Sequence, residues 1–317
     1  MFSKYEYVYA IYTEKSFTKA ARRLYISQPS LSAAIKNIEK KVGAPLFERS
    51  GHYVTPTQIG REYITCAEKI MHIESDFENR IHDIYNLERG KLTVGGTNYL
   101  CSYVLPEIIN KFTSSYPKIE VTLVEASSGN LLSMIENEEV DVLLDSYDEN
   151  MYVHEGSPLL NERILLCVPA GWEINRQFKE NQIRPESIYS REVNLDNITP
   201  VPTEAFADCP FILLKKGNDM YNRACEVFEK NGISPNVVFS VDQLNISYAL
   251  AQSGMGACFV TDTLFKFGKF GNNTVLYNIS EEHSTRMLYI AYKKNRYRTS
   301  AMGKFIETAK DVVSAKK

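Results

Sequence analysis

The stretch Ser16–Gly43, SFTKAARRLYISQPSLSAAIKNIEKKVG, has a helical rhythm at both ends and a break at YISQPS, residues 25–30. Ser16 is placed to cap a first helix through Ala20, Ala21 and Leu24. Tyr25 and Ile26 make a short turn. Ser27 then caps a second helix with Pro29 in its first turn, where a missing N–H costs nothing. In that second helix Leu31, Ala34, Ile35, Ile38 and Val42 share one face at 3.6-residue spacing. The opposite face carries Pro29, Ala33, Lys36 and Lys40, with Ser32 at its flank and Gln28 at its N-terminal tip. Small Ala20 and Ala21 let the two helices cross closely. One bracing helix followed by one that offers short polar side chains is the requirement for a helix-turn-helix reading the major groove. Gln pairs with adenine edges, Ser with several bases, and Lys with phosphate or guanine. An ordinary αα-hairpin would share the periodicity.

Working outward, GAPLFERSGHYVTPTQIG (43–60) contains a turn, a short extended stretch with Arg49 and His52, and a second turn at Thr55–Pro56. This predicts a two-stranded wing. Residues 1–61 hold ten Lys and Arg against four Glu, a net +6, so a chain of formal charge −3 leaves −9 on the other 256 residues. A basic head on an acidic body suits contact with a polyanion, although chance clustering of solvated lysines gives the same sum.

Residues 16–60 as a whole, SFTKAARRLYISQPSLSAAIKNIEKKVGAPLFERSGHYVTPTQIG, resemble the LysR-type transcriptional regulators. The resemblance places the family's DNA-reading positions on Ser27, Gln28, Pro29, Ser30 and Ser32, and its wing contact on Arg49. The family often has a basic residue just after the position of Ser32, where this chain has Ala33. Base contacts are therefore expected to rest more on Gln28, Ser32 and Lys36.

From Thr57 to Glu88 there is no proline. Ile59, Tyr63, Cys66, Ile70, Ile73, Phe77, Ile84 and Leu87 follow steps of four and three, broken only at Arg80. That stripe predicts a long helix with a coiled-coil seam. The head offers no comparable free seam, so the stripe reads as a dimerisation surface placing two recognition helices on one duplex.

Beyond residue 90 strand and helix patterns alternate. Strands are expected at Leu92–Val94, Val121–Glu125 and Val140–Leu144, and helices at Val104–Ser114 and Leu131–Asn137. Such alternation predicts βαβ units and a parallel sheet, with ligands bound beyond the carboxyl ends of the strands. Those ends are GGTNY (95–99) and ASSGN (126–130), each leading into a helix. Thr97, Asn98, Ser127 and Ser128, together with free helix N–H groups, suit a carboxylate or another small anion. Helix capping by the same hydroxyls is the plain alternative. Here the chain also resembles the family's two-lobed effector domain, similar to periplasmic solute receptors, and Thr97, Ser127 and Ser128 match that family's loop residues. Phe211–Leu214 reads as a buried strand ending in a polar loop, Lys215–Asp219, that faces the cleft. SGMGACFV (253–260) looks like a helix end entering a strand, with Thr261–Asp262 where the family usually has a proline. Gly171–Asp208 is longer than in many members and reads as a lid, an interface element or a surface elaboration.

The fold expected is α/β: a winged helix-turn-helix (1–60), a dimerising linker helix (61–90) and an effector domain (91–317). Lobe I takes about 91–163 and 269–317, and lobe II about 164–268. No H-x-x-x-H, paired cysteines, G-x-G-x-x-G, Walker lysine or G-x-S-x-G is present, so neither an enzyme nor a metal or cofactor site is expected. Asp141 and Asp145, near a strand end, read as solvated loop acids. Six scattered cysteines, no apolar run of membrane-spanning length and no signal-peptide pattern point to a cytoplasmic protein with buried, reduced thiols. The expected partners are double-stranded operator DNA, a small effector, RNA polymerase and further copies of the chain, as a homodimer or tetramer. Two alternatives share the frame: a thiol redox sensor using Cys209, with Lys215 and Lys216 nearby, and an architectural DNA-binding protein without a ligand.

Overall fold

The computed structural model describes residues 4–50, 53–84, 90–146, 154–279, 284–294 and 296–316. It separates a head unit ending at Ile84 from a body unit that carries the α/β sheet.

The head is built as its caps dictate. Helix α1 (Tyr5–Glu14) is followed by α2 (Phe17–Arg23), whose N-cap Ser16 accepts the Lys19 N–H at 3.4 Å. Tyr25 takes the left-handed conformation (φ 56°) and turns the chain into α3 (Gln28–Val42). Ser27 Oγ accepts the Ser30 N–H, and Gly43 ends α3 at φ 85°, donating to the Glu39 carbonyl at 2.8 Å. Leu31, Ile35 and Ile38 are buried against Val8, Ile11, Ala20 and Ala21, each contributing about 2 kcal/mol of gross apolar burial. The wing is a hairpin of β1 (Phe47–Ser50) and β2 (Tyr53–Pro56), paired Phe47 to Pro56. Thr55 and Pro56 thus close the second strand rather than form the turn expected there; Pro56 sits at its end, where a missing N–H is tolerated. His52 lies outside the described residues.

Helix α4 (Gln58–Ile84) begins under Leu46. A Cβ on Gly60 would stand 1.9 Å from the Leu46 carbonyl oxygen, so only glycine admits this approach. The expected stripe divides. Tyr63, Ile64 and Ala67 are buried in the head core with Tyr5 and Val8, and Ile70 packs at its edge, so the head does receive the first turns of the helix. Beyond it Ile73 and Phe77 are each 63 % exposed, as is Ile59 in part, and Cys66 lies on the exposed side. Leu87 and the side chain of Ile84 fall outside the described set.

In the body, β3 (Gly90–Gly96) leads through a π-helical turn (Leu100–Val104) into α5 (Leu105–Ser115), then β4 (Ile119–Glu125), α6 (Ser128–Glu136) and β5 (Val142–Ser146). β3 pairs in parallel with both β4 and β5, as the βαβ reading requires. A long strand, β6 (His154–Pro169), follows, and the chain then enters lobe II: α7 (Pro185–Tyr189), β7 (Pro210–Leu214), α8 (Asp219–Lys230), β8 (Asn236–Val241), α9 (Leu244–Gln252), β9 (Cys258–Thr261), α10 (Asp262–Phe267) and β10 (Thr274–Asn278). It returns through β11 (Thr285–Lys293) and ends in α11 (Ser300–Ser314). β11 runs antiparallel to β5 and to the first half of β6, so the lobe I sheet is mixed rather than purely parallel. The second half of β6 pairs antiparallel with β9 and β10. Because β10 belongs to that second sheet, the return to lobe I falls after Asn278 rather than near 269.

Residues 171–208 are an integral part of lobe II. Ile183 bridges to Leu276, Phe206 packs on Tyr277 and Phe178, and Asn278 Nδ2 holds the Leu195 and Ile198 carbonyls at 2.7 and 2.9 Å. Not all thiols are buried as expected: Cys167 and Cys258 are, whereas Cys101, Cys209 and Cys225 are half-buried and Cys66 is exposed.

Candidate functional site

At the N-terminal end of α3, Ser27, Gln28, Pro29 and Ser30 are all exposed, Ser32 is half-buried, and Lys36 projects from the next turn. These side chains are held to one another. Gln28 Nε2 donates to Ser32 Oγ at 3.0 Å, and the hydroxyls of Ser27 and Ser30 lie 2.7 Å apart. Gln28 thereby keeps its carbonyl oxygen and one N–H free, the pair needed for an adenine edge. Arg49 sits in β1; its side chain lies outside the described set.

The second candidate site opens between the lobes of the body. Ends of β3 and the start of α6 supply one wall, and the loops after β7 and β8 supply the other, around a cavity of about 490 Å³. Thr97, Asn98, Ser127 and Ser128 line it together, facing Lys216 and Asn218. Gly96 allows this layout, since a Cβ there would meet Leu105 Cδ1 at 2.7 Å. The Thr97 Oγ1 and Asn98 Oδ1 atoms are buried without a hydrogen-bond partner, so the capping alternative is not realised at Thr97. Ser127 and Ser128 are exposed at the head of α6, where the N–H groups of the first turn are unsatisfied. None of residues 171–208 lines this cavity, so that segment is no lid over it.

Deeper in, a recess of about 40 Å³ is lined by Tyr99, Asp145, Asp219, Asp242 and Arg286 as well as by Thr97 and Ser128. Arg286 ties the lobes together at its floor. Its Nε donates to Glu162 Oε2 at 2.7 Å, its Nη2 to the Tyr99 hydroxyl at 3.1 Å, and its Nη1 crosses to Asp219 Oδ2 in lobe II at 2.7 Å. The Tyr99 hydroxyl donates to Glu162, which is fully buried. Burial works against the Asp219 carboxylate, but Arg286 and then Arg223 outweigh it and hold its pKa below the ordinary range. Asp242 pairs with Lys215 at 2.7 Å. Asp145 has no salt bridge among the described residues. It accepts from the Ser146 N–H at 2.8 Å, and burial pushes its pKa up, with Ser128, that N–H and Arg286 offsetting this in part.

Asp141 and Asp145 are thus not the solvated acids expected. Asp141 accepts from the Thr93 N–H at 2.6 Å and pairs with Arg296, and Asp145 is 7 % exposed. Sequence reasoning missed Asp145, Glu162 and Arg286 as members of the cleft. A signal existed for the last two: Arg286 precedes Leu288 and Ile290, and Glu162 stands between Leu160 and Ile164, so each charge sits at an inward position of an alternating strand.

Cys209 does not have the character of a sensor thiol. Burial, then Asp208, raises its pKa, the reverse of what thiolate reactivity needs. Among the described residues there is no metal-binding cluster of His, Cys, Asp or Glu, and no helix is long and apolar enough to cross a membrane.

Comparison with known proteins agrees with this architecture. Residues 2–61 match the family "Bacterial regulatory helix-turn-helix protein, lysR family", and residues 86–314 match "LysR substrate binding domain". The chain is 30 % identical over 313 residues to YcgK of Bacillus subtilis (strain 168), an uncharacterized HTH-type transcriptional regulator, covering 96 % of this chain and 93 % of that one. It is 27 % identical to a probable RuBisCO transcriptional regulator of Synechocystis sp., over 94 % of this chain and 82 % of the relative. Full-length CbnR complexed with its target DNA superposes with a TM-score of 0.70 at 16 % identity, over 98 % of this chain and 99 % of that one. The effector-binding domain of QuiR in complex with shikimate superposes with a TM-score of 0.55 at 19 % identity, over 72 % and 98 %. With a helix-turn-helix head and a substrate-binding body matched over nearly its whole length, the chain belongs to the LysR family of DNA-binding transcriptional regulators, a family of regulators and not of enzymes.

Proposed function

We propose that this regulator is switched by a small effector carrying an anionic group, held between the lobes by Thr97, Asn98, Ser127 and Ser128. The observation that carries the reading is two buried, unpartnered atoms on the wall of a cavity of about 490 Å³: the Thr97 hydroxyl, which can donate to an anion, and Asn98 Oδ1, which accepts and so calls for a donor elsewhere on the ligand. An orphaned buried polar atom costs about 1–3 kcal/mol, which a ligand hydrogen bond recovers. Shikimate in QuiR supports a small polar effector, and the target DNA of CbnR supports operator binding. Gln28, Ser32 and Lys36 read bases, Ser27, Pro29 and Ser30 set the approach of α3, and Arg49 in the wing contacts the backbone. Two chains pair through the free end of the α4 stripe at Ile73 and Phe77. The exposed apolar strand β8, with Val237, Val238 and Phe239 each more than 40 % exposed, supplies a second surface for assembly into tetramers. Acting in the cytoplasm, the effector shifts the population of subunit arrangements, which changes head spacing on a partly palindromic operator and with it RNA polymerase access.

The test is a thermal-shift titration of the full chain with small organic acids and amino acids. A saturable rise in melting temperature that Thr97→Ala or Ser128→Ala removes is the expected result. A rise untouched by both substitutions puts the site elsewhere.

A further inference from the structure

The outer chamber and the inner recess are joined through Thr97, Asn98, Ser128, Asn218, Asp242 and Gln243, which line both, but their charges differ. In the recess and the network beneath it, Asp145, Glu162 and Asp219 stand against Arg286 and Arg223. Three negative charges against two positive leave one unmatched, and the residue without a salt bridge is Asp145. Asp242 adds nothing to this sum because Lys215 neutralises it. The recess volume of about 40 Å³ is enough for one water-sized group. The outer chamber carries the opposite polarity. Lys216 has no ion pair among the described residues, and the N–H groups at the head of the nine-residue helix α6 open onto it beside Ser127 and Ser128.

We propose that the effector is a zwitterion of the amino-acid type. Its ammonium group occupies the recess against Asp145 and the Asn98 Oδ1 acceptor, and its carboxylate lies in the outer chamber against Ser127, Ser128 and Lys216. This rests on the cleft being the effector site and specifies the ligand's other end. An ammonium there supplies donors for the two acceptors the protein leaves short and cancels the unmatched charge. Because burial already disfavours the ionised Asp145, a bound cation restores what desolvation removed.

The experiment compares matched ligands on the full-length protein by calorimetry and thermal shift: each of the proteinogenic L-amino acids against the acid lacking only its α-amino group, such as aspartate against succinate or leucine against 4-methylpentanoate. At least one amino acid is expected to bind tenfold or more tightly than its deaminated partner. Asp145→Asn should bring that ratio to within about twofold, and Ser128→Ala should weaken both members of the pair. A deaminated acid that binds the native protein as tightly as its amino acid overturns the proposal, as does a panel in which no amino acid binds; neither result needs a variant. An unchanged ratio in a folded Asp145→Asn protein overturns it too. If acids bind without discrimination and Ser128→Ala abolishes that binding, the cleft reading stands and only the zwitterion falls. If binding survives both Ser128→Ala and Thr97→Ala, the cleft reading falls with it.

Discussion

Replacing Arg286 by Met removes a residue that bonds to both lobes at the floor of the cleft. Glu162, with 0 % of its side chain exposed, would lose its only ionic partner among the described residues and retain the Tyr99 hydroxyl. Asp219 would suffer less, since 39 % of its side chain is exposed and Arg223 stays 2.9 Å away. The cost is therefore that of stranding one buried carboxylate, about 3–5 kcal/mol. For a domain of this size that corresponds to a fall of roughly 6–20 °C in the melting temperature of the body. Urea unfolding followed by circular dichroism measures it, through a lower midpoint at unchanged slope. The double variant Glu162→Gln/Arg286→Met should recover most of the loss, because the buried carboxylate that Arg286 neutralises is removed with it. The acid limb carries a sign as well. Asp219 has a depressed pKa, so its contribution is present above its ordinary value near pH 4 and is lost as pH falls through the lower folded value. The gap between native and Arg286→Met protein should narrow below about pH 4. A loss under about 1 kcal/mol, or a double variant no more stable than the single one, would refute the reasoning.

Gln28→Ala should weaken operator binding by roughly 1–3 kcal/mol and leave non-specific binding intact, as read by titration of footprinted operator against random duplex; equal losses on both would remove Gln28 from the reading set. Phe77→Asp should give monomers by light scattering and abolish tight operator binding, and a variant that remains dimeric would show that the seam lies elsewhere. Gly60→Ala normally gains about 1 kcal/mol in a helix, yet here the added Cβ meets a backbone oxygen at 1.9 Å, so we expect a net loss of about 1–3 kcal/mol in head stability by thermal unfolding. Asp145 has a raised folded pKa, so its stabilising proton is held below about pH 4 and lost as pH rises through the folded value. Asp145→Asn should then be the more stable protein at pH 7, with the advantage fading below about pH 4; a less stable variant at pH 7 contradicts the burial argument.

The head was legible almost residue by residue, because caps and periodicity are local. Ser16, Ser27, Pro29 and Gly43 mark helix ends through bonds made within a few residues, and Leu31, Ile35 and Ile38 announce the buried face. The βαβ strands of lobe I were legible for the same reason. What escaped depends on partners far apart in the chain. The α4 stripe looks uniform in sequence, yet Tyr63 and Ala67 belong to the head core while Ile73 and Phe77 do not, a division set by the reach of α1. Asp145 looked like a loop acid because its burial comes from α6 and Arg286, residues with no pattern linking them to it. The direction of β11 and the membership of β10 were hidden likewise, since alternation fixes a strand and not its neighbour.

Strand β6 runs sixteen residues, paired to β11 in one half, with a register shift at Leu159, and to β9 and β10 in the other. Between Leu159 and Val168 it contains neither glycine nor proline, so the two lobes share a stiff rod and not a swivel. Any rotation of one lobe against the other must be stored as extra twist in that rod near Arg163 and Ile164, and twist in an extended strand resists like a torsion spring. A change of lobe angle would therefore have to work against the strand that both lobes share.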